Sequence, residues 1–232
     1  MTKDEREFIE DVLDNKLTMV PVEGLVCTLL SVKYVLENDI KGDFVECGVW
    51  RGGNAIIAAQ MIKKYESSKH CWLFDTFSGM TAPSKVDTPT RGNFSVHEYY
   101  NSQSKKIKGE EINLWCYASK EEVSKNFFDR NLLHENIHFV KGDVLTTLKK
   151  NFQPNEISVL RLDTDWYEST KVELETLWPK IVTGGCLIVD DYGYWTGSKK
   201  AVDEYFKSLQ YKPLLNVINK NIRIGVKTIQ AH

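Results

Sequence analysis

The chain has 232 residues, of which 42% are hydrophobic and 27% are charged, and its formal net charge at pH 7 is -2. This length suits one domain with a full core, so we expect residues 1–232 to form a single domain. The balanced charge offers no basic face for nucleic acid, and no apolar run approaches the roughly 20 residues that span a membrane.

The cysteines are five in number and are not closely spaced, which argues against a disulfide framework and against a zinc site. Cys47, Cys71 and Cys186 lie in apolar runs, as is typical of buried thiols in a reducing compartment. The N-terminal residues 1–14 are charged and have no apolar region that would indicate a signal peptide. We therefore expect a cytoplasmic protein.

The N-terminal 40 residues predict two helices. Apolar residues recur at helical spacing over residues 4–15 and again over 23–37, with a short turn around Pro21 between them. We expect residues 1–40 to form a helical cap on the rest of the domain.

From residue 44 onward, short apolar strands alternate with helical stretches. The predicted strands are 44–47, 72–75, 137–140, 158–163 and 187–190, and the predicted helices are 54–65, 120–131, 166–178 and 199–209. This alternation indicates an α/β fold with a mostly parallel sheet and helices on both faces. An antiparallel hairpin, 213–217 with 222–226, is predicted at the C-terminus. Together these features are the pattern of the Rossmann-like class I methyltransferase fold.

Residues 77–118 interrupt this alternation. They contain prolines and glycines and show no sustained periodicity, and stretches of this length are usually functional or mobile. We expect a lid or a substrate loop, and a disordered linker is the alternative.

The end of the first predicted strand has the features of a cofactor site, because ligands of open α/β sheets bind outside the carboxyl ends of the strands. Gly48, Gly52 and Gly53 allow close backbone approach, and the next helix begins with free N–H groups. Their spacing lacks the paired glycines of a dinucleotide fingerprint. Glu46 suits the amino group and sulfonium of S-adenosylmethionine and would repel a pyrophosphate, which favours the methyl donor over NAD.

Two later strands also end near a carboxylate, Asp75 for the ribose hydroxyls and Asp143 for the adenine amino group. One such acid could simply cap the following helix, as Ser119 with Glu122 has the spacing to do. Acids at three successive strand ends favour a cofactor crevice. The predicted cofactor-binding residues are Glu46, Gly48, Gly52, Gly53, Asp75, Ser78, Ser119 and Asp143.

Four carboxylates follow the fourth and fifth predicted strands: Asp163 and Asp165, then Asp190 and Asp191. If these strands are neighbours, Asp163 and Asp190 stand about 5 Å apart at one sheet edge. Such crowding disfavours ionisation unless a cation is present, and oxygen ligands without nearby His or Cys suit Mg²⁺ or Mn²⁺. The alternative for Asp165 is a capping box with Glu168.

Four motifs, at residues 42–53, 75–79, 162–170 and 184–193, resemble those of the macrocin and novobiocin-type sugar O-methyltransferases. The resemblance extends from about residue 17 to 210. It implies a class I fold, S-adenosylmethionine, Mg²⁺ and a sugar hydroxyl as acceptor, and it suggests a homodimer.

Carried over by position, Asp163, Asp190 and Asp191 match the metal ligands, and Asp165 matches the catalytic base. Asp143 stands where some members carry an aromatic residue. The 77–118 segment and the C-terminal hairpin match the antibiotic enzymes poorly, so the acceptor need not be an antibiotic sugar.

Three other functions fit the pattern less well. A metal-dependent catechol-type O-methyltransferase would use similar carboxylates, an NAD-dependent oxidoreductase would share the fold class, and a non-catalytic scaffold would need no acidic cluster. Aromatic residues near the crevice would stack on a sugar or pack in the core, and the sequence leaves this open. They are Trp50, Trp115, Trp166, Tyr192 and Trp195.

Overall fold

The computed structural model describes residues 1–107, 109–150 and 154–228. Position 108 of the predicted lid, and positions 151–153 and 229–232 of the predicted single domain, lie outside the described residues. The helices are α1 Lys3–Asp14, α2 Val22–Glu37, α3 Gly53–Lys64, α4 Val96–Gln103, α5 Lys120–Phe128, α6 Val144–Thr147, α7 Tyr167–Leu177 and α8 Thr196–Ser208. The strands are β1 Asp43–Cys47, β2 Cys71–Asp75, β3 Ser104–Ile107, β4 Glu110–Asn113, β5 Ile137–Lys141, β6 Ile157–Leu162, β7 Ile181–Val189, β8 Asn216–Val217 and β9 Arg223–Val226.

A seven-stranded sheet of order β5-β2-β1-β6-β7-β9-β8 forms the centre of the fold. Its first five strands are parallel, whereas β9 runs antiparallel to β7, and β8 runs antiparallel to β9. The predicted fold class and the predicted C-terminal hairpin are confirmed. The chain reverses its direction of travel across the sheet between β1 and β6, which is where such sheets bind ligands.

Alternate residues of the central strands enter two separate cores. In β1, Phe44 belongs to a core beneath α1, α2 and α3, while Val45 belongs to a core beneath α7 and α8. Because both faces are covered, β6 is buried along its whole length, and its sequence is a continuous apolar run apart from Ser158 and Arg161.

The strand β7 is longer than predicted. The sequence indicated 187–190, but pairing with β6 already begins at Ile181 and shifts register before Cys186. Gly184 and Gly185 weaken the strand pattern over this first half, and Gly184 has a φ of 85°. Hydrogen bonding to neighbouring strands, and not side-chain pattern, makes these residues part of the sheet.

The 77–118 segment contains α4 and a small two-stranded sheet of β3 and β4. The four residues of β3 are all exposed, so they show no alternation that would reveal a strand. The five cysteines are free thiols, of which only Cys116 is not buried. Within the described ranges, no helix has the length and apolar character needed to cross a membrane.

The ends of β1 and β6 approach each other closely at Gly48. This glycine has a φ of 83°, and a Cβ there would overlap the backbone carbonyl of Asp163. We predict that Gly48→Ala lowers the free energy of unfolding, measured in urea, by about 1–3 kcal/mol more than Gly92→Ala does. Gly92 is the matched control, because its φ is 82° and a Cβ added there would meet nothing within 4 Å. Equal losses in the two variants would contradict this close approach.

Candidate active site

A cavity of about 380 Å³ opens at the carboxyl ends of β1, β2, β6 and β7. Most of the predicted site residues meet there, although they come from distant parts of the chain. Those that line it are Glu46, Gly48, Gly53, Asp75, Asp143, Asp163, Asp165, Asp190 and Asp191.

Three predicted cofactor residues do not line this cavity. Gly52 faces Phe127 and Val123 of α5, and Ser119 accepts a hydrogen bond from the backbone N–H of Glu122, capping α5. Ser78 lines a separate, more open pocket next to the cavity. Direct contact of these three with a cofactor stays a prediction.

Asp75 holds the glycine-rich loop that follows β1. Its Oδ2 accepts hydrogen bonds from the N–H groups of Val49 (2.7 Å) and Trp50 (3.0 Å), and its Oδ1 accepts one from Phe77 (2.7 Å). Burial raises the pKa of Asp75, while these three donors act to lower it. The carboxylate therefore shapes the crevice in addition to facing it.

The sequence analysis did not single out Arg161, although it occupies the centre of the site. This β6 side chain is 1% exposed. Its Nη1 donates to Glu46 (2.8 Å) and to Asp163 (2.7 Å), and its Nη2 lies 2.8 Å from Asp190 Oδ1. Burial opposes the charge, but the three carboxylates outweigh it and hold the pKa of Arg161 well above its usual value. The sequence signal that could have identified Arg161 is a charged residue in the middle of a strand that is otherwise almost entirely apolar.

Glu46 has one oxygen in use and one without a partner. Oε1 accepts from Arg161, whereas Oε2 is buried and has no hydrogen-bond partner. Burial raises the pKa of this carboxyl to about 8, despite the nearby guanidinium. A buried oxygen that borders a cavity and lacks a partner is suited to a ligand that donates a hydrogen bond or carries positive charge.

Three carboxylates converge on one point: Asp163, Asp165 and Asp191 each place an oxygen within 4.8 Å of the others. Burial raises the pKa of Asp165 to about 7 and raises that of Asp191 well above its ordinary value, and the two carboxyls hydrogen-bond each other. Asp190, one of the predicted ligands, lies beside Arg161 and hydrogen-bonds Asp163. The converging group contains Asp165 and not Asp190, and the assignment of Asp163, Asp190 and Asp191 as metal ligands stays a prediction.

Asp165 does not cap α7. The N-cap residue of that helix is Trp166, which makes no side-chain capping bond, and Asp165 has a φ of 68°. The capping alternative is therefore wrong, and the left-handed backbone at Asp165 is a type of strain common in active sites. Asp143, in contrast, does cap a helix, because its side chain accepts from Leu145 N at 2.8 Å.

The aromatic residues divide between the cavity wall and the core. Trp50, Trp115 and Trp195 line the cavity, and Trp166 packs edge-on against the latter two. Tyr192 lies outside the lining and donates a hydrogen bond to Asp203.

The fold and the cavity define a class I methyltransferase, and comparison with known proteins gives the family. The family model of macrocin O-methyltransferase (TylF) matches residues 1–222. The chain belongs to this family and is an O-methyltransferase, as the sequence motifs predicted.

Two relatives and one solved structure illustrate the similarity. Demethyldecarbamoylnovobiocin O-methyltransferase of Streptomyces niveus is 34% identical over 192 residues, which are 82% of this chain and 68% of that protein. A tetracenomycin-C 4'-O-methyltransferase of Streptomyces olivaceus, acting on a dimethoxy-rhamnosyl derivative, is 31% identical over 81% of this chain and 67% of its own. The structure of the O-methyltransferase NovP superposes with a TM-score of 0.78 at 30% identity, covering 91% of this chain and 82% of that one.

The buried ion cluster around Arg161 generates a stability prediction. Arg161→Met leaves Glu46, Asp163 and Asp190 without their cation, so we expect a loss of about 3–5 kcal/mol in the free energy of unfolding. The loss grows as pH rises, because the pKa values of Glu46 and Asp190 are raised in the folded state and their ionised forms would then have no cation beside them. Stability is retained below the ordinary Glu value of 4.5 and falls toward and beyond pH 8, where folded Glu46 ionises.

Arg51→Met is the matched control, because Arg51 pairs with Glu122 at the surface, where both side chains are partly exposed. An exposed pair contributes about 0–1 kcal/mol. Urea unfolding from pH 5 to pH 9 measures both variants. A loss in Arg161→Met that is small and independent of pH would show that the guanidinium is not the required counter-charge.

Proposed function

We propose that the chain transfers the methyl group of S-adenosylmethionine to a hydroxyl of a sugar or glycosylated small molecule, in a reaction that depends on Mg²⁺ or Mn²⁺. One observation carries this proposal: a single cavity contains both the unpartnered oxygen of Glu46 and the three converging carboxylates. Family membership supports methyl transfer, and the rhamnosyl group named in one relative supports a sugar acceptor.

The cofactor half of the cavity is built from β1, β2 and the loops after them. Glu46 Oε2 offers a hydrogen-bond acceptor for the amino group of the methyl donor. Gly48 and Gly53 line the same cavity, where the lack of a side chain allows the backbone to approach the methyl donor. Asp143 lines the same cavity, where its remaining acceptor capacity suits the adenine amino group. The acidic side chains of Glu46 and Asp143 favour a cationic methyl donor over a pyrophosphate.

The acidic half fits a hard divalent cation. Its donors are carboxylate oxygens, and the nearby Cys116 stays a thiol because burial raises its pKa. Asp163, Asp165 and Asp191 would hold the ion in the present geometry, and Asp190 is within the same cavity. When bound, such an ion supplies Lewis-acid chemistry that lowers the pKa of a hydroxyl.

Asp165 is the residue best suited to take the proton of the acceptor hydroxyl if Asp190 completes the metal ligands with Asp163 and Asp191, as the sequence predicts. Burial raises its pKa to about 7, close to the pH at which a general base is most effective. Trp115 and Trp195 line the same cavity with their ring planes at 62° to each other, and these apolar surfaces would orient the acceptor and exclude water.

Ligand-dependent thermal unfolding tests the choice of cofactor. S-adenosylhomocysteine should stabilise the folded state by about 2.7 kcal/mol at a hundredfold excess over its dissociation constant, and NAD should not. Glu46→Gln keeps the shape of the side chain but can no longer ionise to meet a positively charged ligand, so its shift with S-adenosylhomocysteine should be smaller. A shift with NAD alone would refute the assignment.

Three single substitutions separate the roles of the carboxylates. Asp163→Ala should abolish metal-dependent turnover while the shift with S-adenosylhomocysteine survives. Asp165→Asn should lower turnover at least about tenfold, as expected on losing a general base. Asp190→Asn distinguishes the ligand set predicted from the sequence, which includes Asp190, from the converging group, which has Asp165 instead. Weaker Mn²⁺ binding would make Asp190 a metal ligand, and unchanged binding would make it only a partner of Arg161. Normal metal-dependent activity in Asp163→Ala would refute the metal site.

A further inference from the structure

Residues 81–90, called the strap below, cross the N-terminal ends of both α7 and α8. At one end Trp166 Nε1 donates to the carbonyl of Thr81 (2.9 Å). At the other end, the strap exchanges backbone hydrogen bonds with α8 and the turn before it, from Thr196 N to Thr88 O (2.9 Å) and from Thr90 N to Tyr194 O (2.8 Å). The strap is part of the segment that the sequence predicted as a lid.

Asp87 anchors the strap to α7. Its side chain is fully buried, at 0% exposure. Oδ1 accepts a hydrogen bond from the first N–H of α7, Tyr167 N (2.8 Å), and Oδ2 accepts from the N–H (2.7 Å) and the hydroxyl (2.6 Å) of Ser84. A carboxylate at this position supplies the side-chain cap that α7 otherwise lacks, and it interacts favourably with the helix dipole.

The first turn of α8 is shaped around the same carboxylate. A Cβ at Gly197 would overlap Asp87 Oδ1 and crowd the backbone N of Tyr167. Asp87 therefore lies where the N-terminal turns of α7 and α8 meet, and only a glycine leaves room for it.

Both helices begin directly after the acidic turns of the site. Tyr167, which donates to Asp87, comes two residues after Asp165, where the backbone is left-handed. The carbonyl of Asp191 accepts from Tyr194 N and Trp195 N just before α8. The strap thus contacts backbone groups two residues after Asp165 and three residues after Asp191, although none of its side chains contributes an oxygen to the converging group.

We propose that Asp87 is a positioning residue for methyl transfer: by capping α7 against α8, it sets the geometry of Asp163, Asp165 and Asp191. Seating of the strap and assembly of the metal-binding carboxylates are then one event. This inference rests on the proposed metal-dependent function. By thermodynamic linkage, a metal ion that favours the assembled carboxylates also favours the seated strap.

The test measures Mn²⁺ affinity directly, by electron paramagnetic resonance of free Mn²⁺ during titration of the full chain. Asp87→Ala should weaken Mn²⁺ binding about 10–100-fold, the usual effect of removing a residue that orients metal ligands. The affinity of Asp87→Ala for S-adenosylhomocysteine, measured by calorimetry, should stay within about twofold of wild type, because the glycine-rich loop after β1 does not contact Asp87.

Two more variants probe the contact itself. Asp87→Asn should fall between wild type and Asp87→Ala, because its carbonyl oxygen can accept from Tyr167 N while its amide group cannot accept from Ser84. Gly197→Ala should weaken Mn²⁺ binding as well. Its added Cβ would displace the Asp87 carboxylate from the N-terminus of α7, although Asp87 itself is not substituted. Asp129→Asn is the control: this surface carboxylate pairs with Lys125 on α5, and its loss should leave Mn²⁺ affinity unaltered.

Hydrogen exchange supplies the reciprocal measurement. In wild type, Mn²⁺ should slow exchange of the Tyr167 amide and of the strap amides, and in Asp87→Ala this protection should be lost. If Asp87→Ala is merely less stable, with unchanged Mn²⁺ affinity and protection, Asp87 is only a helix cap and the inference is wrong. If Asp163→Ala also binds Mn²⁺ normally, the proposed metal site itself has failed. Should Asp87→Ala not fold, Asp87→Asn and Ser84→Ala make the same comparison with smaller changes.

Discussion

The buried guanidinium of Arg161 is the interaction on which the site depends. Glu46 on β1, Asp163 after β6 and Asp190 after β7 are brought together by three adjacent parallel strands, and burial disfavours the ionised forms of Glu46 and Asp190 unless a counter-charge is near. Arg161 supplies that charge from the central strand. It also joins the Glu46 side of the cavity to the acidic side, because one side chain contacts Glu46 and Asp163 at once.

The acidic half is organised from outside the sheet as well. The carboxylates of Asp163, Asp165 and Asp191 converge on turns that lead into α7 and α8, and those helices are in turn held by Asp87. A long segment with little regular structure thus bears on the geometry of residues far away in sequence. This arrangement gives a physical reason for such a segment in an enzyme that must exclude water and orient two reactants.

Much of the fold was predictable from local pattern. Strands buried on both faces leave continuous apolar runs, and α/β alternation restricts the topology, so the parallel sheet and the C-terminal hairpin were both predicted. The first half of β7 was not predicted, because its two glycines have low strand propensity. The strand β3 was not predicted either, because its residues are all exposed and show no alternation. In the site, the acids at strand ends were predicted because parallel strands present their carboxyl ends at one edge.

The sequence by itself therefore determined the fold class, the family and the set of acidic residues that share a cavity, because each depends on periodicity or on short motifs. Tertiary structure decided how those acids are used. Only the folded chain shows that Asp190 faces Arg161, that Asp75 holds the glycine loop, and that Asp87 in place of Asp165 caps α7. The physical reason is that a carboxylate's role is set by its burial and by the donors it meets, and those donors are distant in sequence.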